Sequence, residues 1–178
     1  VEFYNLAKSV KGAKGLTEGR SGISNFEQLV ELGKSNRQLD ANDQHIVNIV
    51  DWLWQYAFDQ RARDIHIEPR REVGLVRFRI DGVLHEVMKP PKNLQMAIIS
   101  RIKVLADLDI AVRLLPQDGR LTVHLPDREV DIRVSTLPTS FGEKVVMRLF
   151  DKQAFTRDVQ HLGLEGAPGV DHLVPILK

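Results

Sequence analysis

The chain predicts an α+β fold, an antiparallel sheet with its helices gathered on one face. Three observations carry that expectation. From Arg63 to Leu84 apolar and charged residues alternate over two strand lengths and turn on Asp81-Gly82, the mark of a hairpin. Two segments, Asp43 to Gln60 and Leu94 to Ala106, repeat apolar residues every three or four positions, as amphipathic helices do. Between Leu121 and Phe150 three further strand-like runs are separated by short turns. The order is α-β-β-α-β-β-β, and it places the domain at residues 41–150.

Residues 1–40 spread Gly12, Gly15, Gly19 and Gly22 among Lys and Ser, which favours chain entropy over burial and predicts a flexible arm. Within it, Asn25 to Leu32 suit a short helix with Ser24 as N-cap and Gly33 as stop. Gly33-Lys34-Ser35 imitates the end of a phosphate loop. Gln28 stands where that motif needs its first glycine, and a helical pattern rather than a strand precedes it, so the triplet reads as a helix stop.

Asn42 or Asp43 caps the long helix, whose Ile46, Ile49, Val50, Leu53 and Ala57 face a core. Trp52, Trp54 and Tyr56 beside that stripe read as packing rather than a ligand cage. In the first hairpin Ile65, Ile67, Val76, Phe78 and Ile80 point inward, while Asp64, His66, Glu68, Arg77 and Arg79 point outward. The two-residue turn sets Arg77 opposite Glu86 and Phe78 opposite His85, and a cross-strand Arg77–Glu86 ion pair is expected. Pro90 and Pro91 end the hairpin, and Asn93 caps the second helix. Gln117-Asp118-Gly119 reads as a turn before strands at 121–125, 130–137 and 143–150, the first two joined through Pro126-Asp127-Arg128. The last strand is apolar on both faces apart from Arg148, which places it centrally with a helix or loop over its second face. Residues 151–178, with Gly163, Gly166, Pro168 and Gly169, read as a linker.

Lys and Arg number 25 against 24 Asp and Glu, a net charge of +1 that supplies no bulk field for nucleic acid or an anionic bilayer. The sequence has no cysteine, hence no disulfide framework and no thiolate metal site, which fits a cytoplasmic protein. No run approaches the ~20 apolar residues of a membrane-spanning helix, and Val1 reads as a boundary rather than the start of a secretory signal.

Arg77 and Arg79 lie two apart on one strand face, so both planar guanidinium forks project from the same surface, a geometry suited to phosphate. Asp64, His66, Glu68 and His85 invite a metal or acid–base reading, but no third ligand lies at a defining spacing, and no metal site is expected. A stacking platform for nucleic acid needs aromatics on the exposed face, whereas Phe78 shares its face with Val76 and Ile80. No nucleophile elbow or His-Glu-x-x-His helix occurs, so no catalytic residue is assigned within the chain.

Five motifs in order resemble the secretion and pilus-assembly ATPase family. They are Asp64-Ile65-His66-Ile67-Glu68-Pro69, Arg77-Phe78-Arg79-Ile80-Asp81-Gly82-Val83-Leu84, Arg101-Ile102-Lys103, Pro116-Gln117-Asp118-Gly119-Arg120 and Leu137-Pro138-Thr139-Ser140-Phe141-Gly142-Glu143-Lys144. The resemblance implies the second N-terminal domain of a hexameric motor of type II secretion or type IV pilus assembly, a PAS-like unit preceding a RecA-like motor domain. It further implies packing on the motor domains of its own and neighbouring subunits, contact with inner-membrane platform proteins, and a cytoplasmic location peripheral to that membrane. ATP and magnesium would belong to the complete protein, with none bound to this chain.

No Gly-x-x-x-x-Gly-Lys-Ser/Thr loop is present, so the chain by itself is expected to be inactive. The family's nucleotide-facing arginines match Arg77 and, just after the prolines, Lys92, with Arg79 as a third candidate. Lys92 keeps the charge of the arginine some members carry but not its bidentate fork. Arg63 replaces the family's usual serine. The alternative is a stand-alone PAS-like module binding a ligand or protein.

Overall fold

The computed structural model describes residues 2–5 and 39–152. The chain runs β1 (Glu2–Asn5), α1 (Gln44–Asp59), β2 (Asp64–Pro69), β3 (Gly74–Ile80), β4 (Val83–Met88), α2 (Lys92–Leu105), β5 (Gln117–His124), β6 (Glu129–Thr139) and β7 (Gly142–Asp151). The strands form one sheet of order β1-β5-β6-β7-β2-β3-β4. Every pairing is antiparallel except β1 on β5. The predicted α+β class therefore holds.

Local chemistry explains the elements. The Asp43 carboxylate accepts a hydrogen bond from the His45 backbone N–H at 3.0 Å, satisfying one donor left open by the first turn of α1. Asp81 and Gly82 both take positive φ, 49° and 79°, as a two-residue turn between twisted strands requires. That turn sets Ile80 against Val83, Phe78 against His85 and Arg77 against Glu86. Gly74 leaves room for the buried Gln95 on α2: a Cβ there would lie 1.1 Å from its Oε1, so the amide would have to move.

Both helices cover the same sheet face. Ile46, Leu53, Trp54 and Ala57 of α1 and Leu94, Ile98 and Ile102 of α2 share one core with Ile65, Ile67, Val76, Phe78, Leu121, Ile132, Val134, Val145 and Met147. Each buried side chain of Leu or Ile size contributes about 1.5–3 kcal/mol. Trp54 is fully buried, and Trp52 stacks on Tyr56 with ring centroids 5.3 Å apart, so the three aromatics do pack rather than form a cage.

Several expectations need correction. Residues 2–5, read as part of an arm, form β1 against the edge of β5. The proposed short helix and the Gly33-Lys34-Ser35 triplet lie outside the described residues, as does the linker after residue 152. Gln117, Asp118 and Gly119 are not a turn but the start of β5, paired with Thr136, Ser135 and Val134. Pro91 rather than Asn93 occupies the N-cap of α2, and the Asn93 side chain accepts from the adjacent Leu94 N–H. β7 is central, between β6 and β2, but Phe150 on its second face is exposed and no described element covers that face.

Candidate functional site

With the helices on one side, the other face of the sheet carries the charged half of each alternation. Pairing places Arg120, Arg133, Arg148, Asp64 and Arg79 directly opposite one another across β5, β6, β7, β2 and β3. The adjacent row runs through Asp118, Ser135, Val146, His66, Arg77 and Glu86. Five arginines thus share one face.

Arg77 is half-buried, and its Nη2 donates to Glu68 Oε2 at 2.7 Å. The expected Arg77–Glu86 ion pair is not formed, because β2 brings Glu68 onto the same face from the other side and Glu86 pairs instead with Lys89 at 3.4 Å. Arg79 reaches Asp64 at 3.3 Å and donates to the Gly82 carbonyl at 3.1 Å. Asp64, nearly buried, also accepts from Arg148 Nε at 3.1 Å, so one carboxylate serves two guanidinium groups. Lys92 is exposed as the first residue of α2, beyond the Gly74 end of β3 where the Gly74 N–H donates to the Pro90 carbonyl. Arg77 and Arg79 are brought together; Lys92 lies on a different element.

His66 stands between Arg77 and Val146. Burial lowers its pKa below the usual 6.5; Asp64 opposes this, while Lys144, Arg79 and Arg77 reinforce it, so the imidazole is neutral near pH 7. Its Nε2 is buried without a partner, and so is Nε of the directly opposed Arg77. Asp64, His66 and Glu68 do not assemble into a metal site: Glu68 is committed to Arg77 and Arg70, and Asp64 to Arg79 and Arg148. Among the described residues no group of three possible ligands is positioned for a metal ion.

Two features were not legible from spacing. Asp64 acquires its two arginines only because β7 and β3 flank β2, a neighbourhood set by strand order. Lys103 on α2 is 1% exposed and pairs with Glu143 at the start of β7 while donating to the Val112 carbonyl at 2.8 Å. A lysine on the apolar side of a helical stripe was the available signal.

The sequence matches a known family. The family model for "Type II/IV secretion system protein" matches residues 39–174, and the chain belongs to that family. It is 48% identical over 165 residues to the type IV pilus assembly ATPase TfpB of Acinetobacter baylyi, covering 92% of this chain and 28% of that protein. It is 47% identical over 143 residues to the type IV pilus assembly ATPase PilB of Myxococcus xanthus, covering 80% and 24%. Against the type II secretion system protein E of Pseudomonas aeruginosa it is 42% identical over 159 residues, covering 89% and 30%. The chain therefore spans less than a third of the length of these relatives. No described helix is long and apolar enough to cross a membrane.

Proposed function

We propose that this domain serves a hexameric secretion or pilus-assembly ATPase by presenting Arg77 to the phosphates of ATP held on a motor domain outside this chain. The observation that supports it is the pair of unpartnered buried polar atoms, Arg77 Nε and His66 Nε2, on directly opposed residues. Buried donors and acceptors are ordinarily satisfied, so an orphaned pair beside a charged, uncovered face marks where an arriving group completes the bonding. Glu68 holds Arg77 through Nη2, and neutral His66 adds no competing charge. Domain closure then delivers a pre-oriented guanidinium to charge developing on the transferred phosphoryl group.

Arg79 is a supporting cation, restrained by Asp64 and Gly82, and Lys92 is a point charge at the rim. The chain would sit on motor domains of its own and neighbouring subunits, at the cytoplasmic side of an inner-membrane platform. It would not turn over ATP alone.

The test is Arg77→Ala in the complete protein. Arginines that contact phosphoryl-transfer charge contribute about 10³–10⁵ in turnover. The expected result is a loss of that order with an unchanged melting profile. Turnover near the parent rate, with Glu68→Gln equally active, would make Arg77 a structural surface charge.

A further inference from the structure

The arginine row beside Arg77 runs from Arg79 to Arg120, and its far end has no ion-pair partner among the described residues. Asp64 serves Arg79 and Arg148, but Arg133 and Arg120, next along the row, have no ion pair or hydrogen-bond acceptor among the described residues. The nearest carboxylates are engaged elsewhere. Asp118 accepts from Ser135 at 2.7 Å, and Asp131 accepts from Thr122 at 2.9 Å and pairs with Lys152 at 3.2 Å. Arg120 faces Arg133, and Arg133 faces Arg148, each directly across a strand pair. Like charges placed so repel; Asp64 offsets this at Arg148, but no carboxylate pairs directly with Arg133 or Arg120 among the described residues.

We propose that the Arg120–Arg133–Arg148 segment is a docking surface for a protein partner that presents paired carboxylates. The reading does not depend on Arg77. Charge complementarity asks for an anion, and two features, the low net charge and the apolar residues beside the row, point to a protein. The chain's net charge of +1 leaves no general field for a duplex or a bilayer. Every cation in the row is arginine, whose fork binds carboxylate, as it does phosphate, in two parallel hydrogen bonds. On the same face Phe150 is exposed and Val146 is half-buried, and aromatic residues with arginine characterise protein interfaces. Directly opposed strand residues have Cβ atoms about 4.5–5.5 Å apart. Acidic residues one helical turn apart are separated by about 5–6 Å, so a helix bearing Glu or Asp at that spacing meets two successive guanidinium groups.

The experiment places photoreactive benzoylphenylalanine at position 150 of the complete protein, irradiates cells and identifies the adduct by mass spectrometry. The expected adduct is a peptide carrying two Asp or Glu residues one turn apart. Its yield falls by about tenfold or more in Arg120→Glu/Arg133→Glu, because like charges juxtaposed across an interface suppress association. It is unchanged in the distant control Lys89→Glu. Arg120→Gln/Arg133→Gln, which inserts no new charge, loses yield in the same direction and decides the matter should the reversed pair fail to fold. An adduct on lipid or nucleic acid, one on a peptide without paired carboxylates, one insensitive to both double variants, or no adduct at all overturns the proposal.

Discussion

Replacing Glu143 by Gln tests how far the buried Lys103 pair holds the end of the sheet to α2. Lys103 is 1% exposed and the Glu143 side chain 11%, so water cannot readily take the place of either partner. Removing one member of a buried pair costs about 3–5 kcal/mol, most of it the penalty on the charge left behind. Lys103 keeps the Val112 carbonyl at 2.8 Å, which argues for the lower end, about 3 kcal/mol. At about 2–4 °C per kcal/mol for a chain of this size, the melting temperature should fall by roughly 6–12 °C. The double variant Lys103→Met/Glu143→Gln removes the stranded charge and keeps the side-chain volume. Val112 still accepts from Gln117 Nε2 at 3.1 Å, so its carbonyl is not orphaned. Thermal unfolding followed by circular dichroism should therefore show the double variant recovering most of the loss. A single variant melting within about 2 °C of the parent would refute the reasoning, since a loss under about 1 kcal/mol means the ammonium is solvated.

Three further outcomes are expected. The folded-state pKa of His66 is depressed, so the unfolded chain binds more protons below 6.5; stability is full above that value and falls as pH drops through the window toward the folded pKa. Urea unfolding at about pH 7.5 and about pH 5.5 should show a smaller acid loss in His66→Gln than in the parent, and equal losses would assign the sensitivity to another group. Gly74→Ala should cost about 1–3 kcal/mol by driving its Cβ into Gln95, with partial rescue by Gln95→Ala; no rescue would locate the strain elsewhere. Asp64→Asn should cost about 1.5–3 kcal/mol, because two arginines lose a charged acceptor; Arg148→Gln should cost less, since that side chain is 63% exposed, and the reverse order in chemical denaturation would contradict the shared-carboxylate account.

The β3–β4 hairpin was legible, register included, because the two-residue Asp81-Gly82 turn pairs Ile80 with Val83 and so Phe78 with His85; the alternation also put Ile65 and Ile67 on the core face, but the pairing of β2 with β3 was not read from the sequence. Both helices were legible from their stripes. The start of β5 was not, since Gln117-Asp118-Gly119 carries turn chemistry and becomes a strand only when β6 supplies partners at Val134 to Thr136. The same limit applies to the site. Local spacing put Arg77 and Arg79 on one face, but the partner of Arg77 could come from either flanking strand, and it is Glu68 from β2 while Glu86 on the edge strand β4 pairs with Lys89. Arg120, Arg133 and Arg148 lie on three strands, and only the sheet order reveals them as neighbours.

The β2–β7 ladder joins two three-stranded meanders, and it gives this domain a vulnerable interval during synthesis. Each meander closes over short turns, whereas Asp64 and Arg148, which meet at the seam, are 84 positions apart. Loop-closure entropy makes the seam the slow step in folding. Until it forms, β2 and β7 are bare strand edges, each a template for another chain. At about 5–20 residues per second, the ribosome delivers Arg148 roughly 4–17 s after Asp64. During that time the first hairpin exists with the edge of β2 open, so mispairing between nascent copies should begin there, at Ile65-His66-Ile67, rather than at β4.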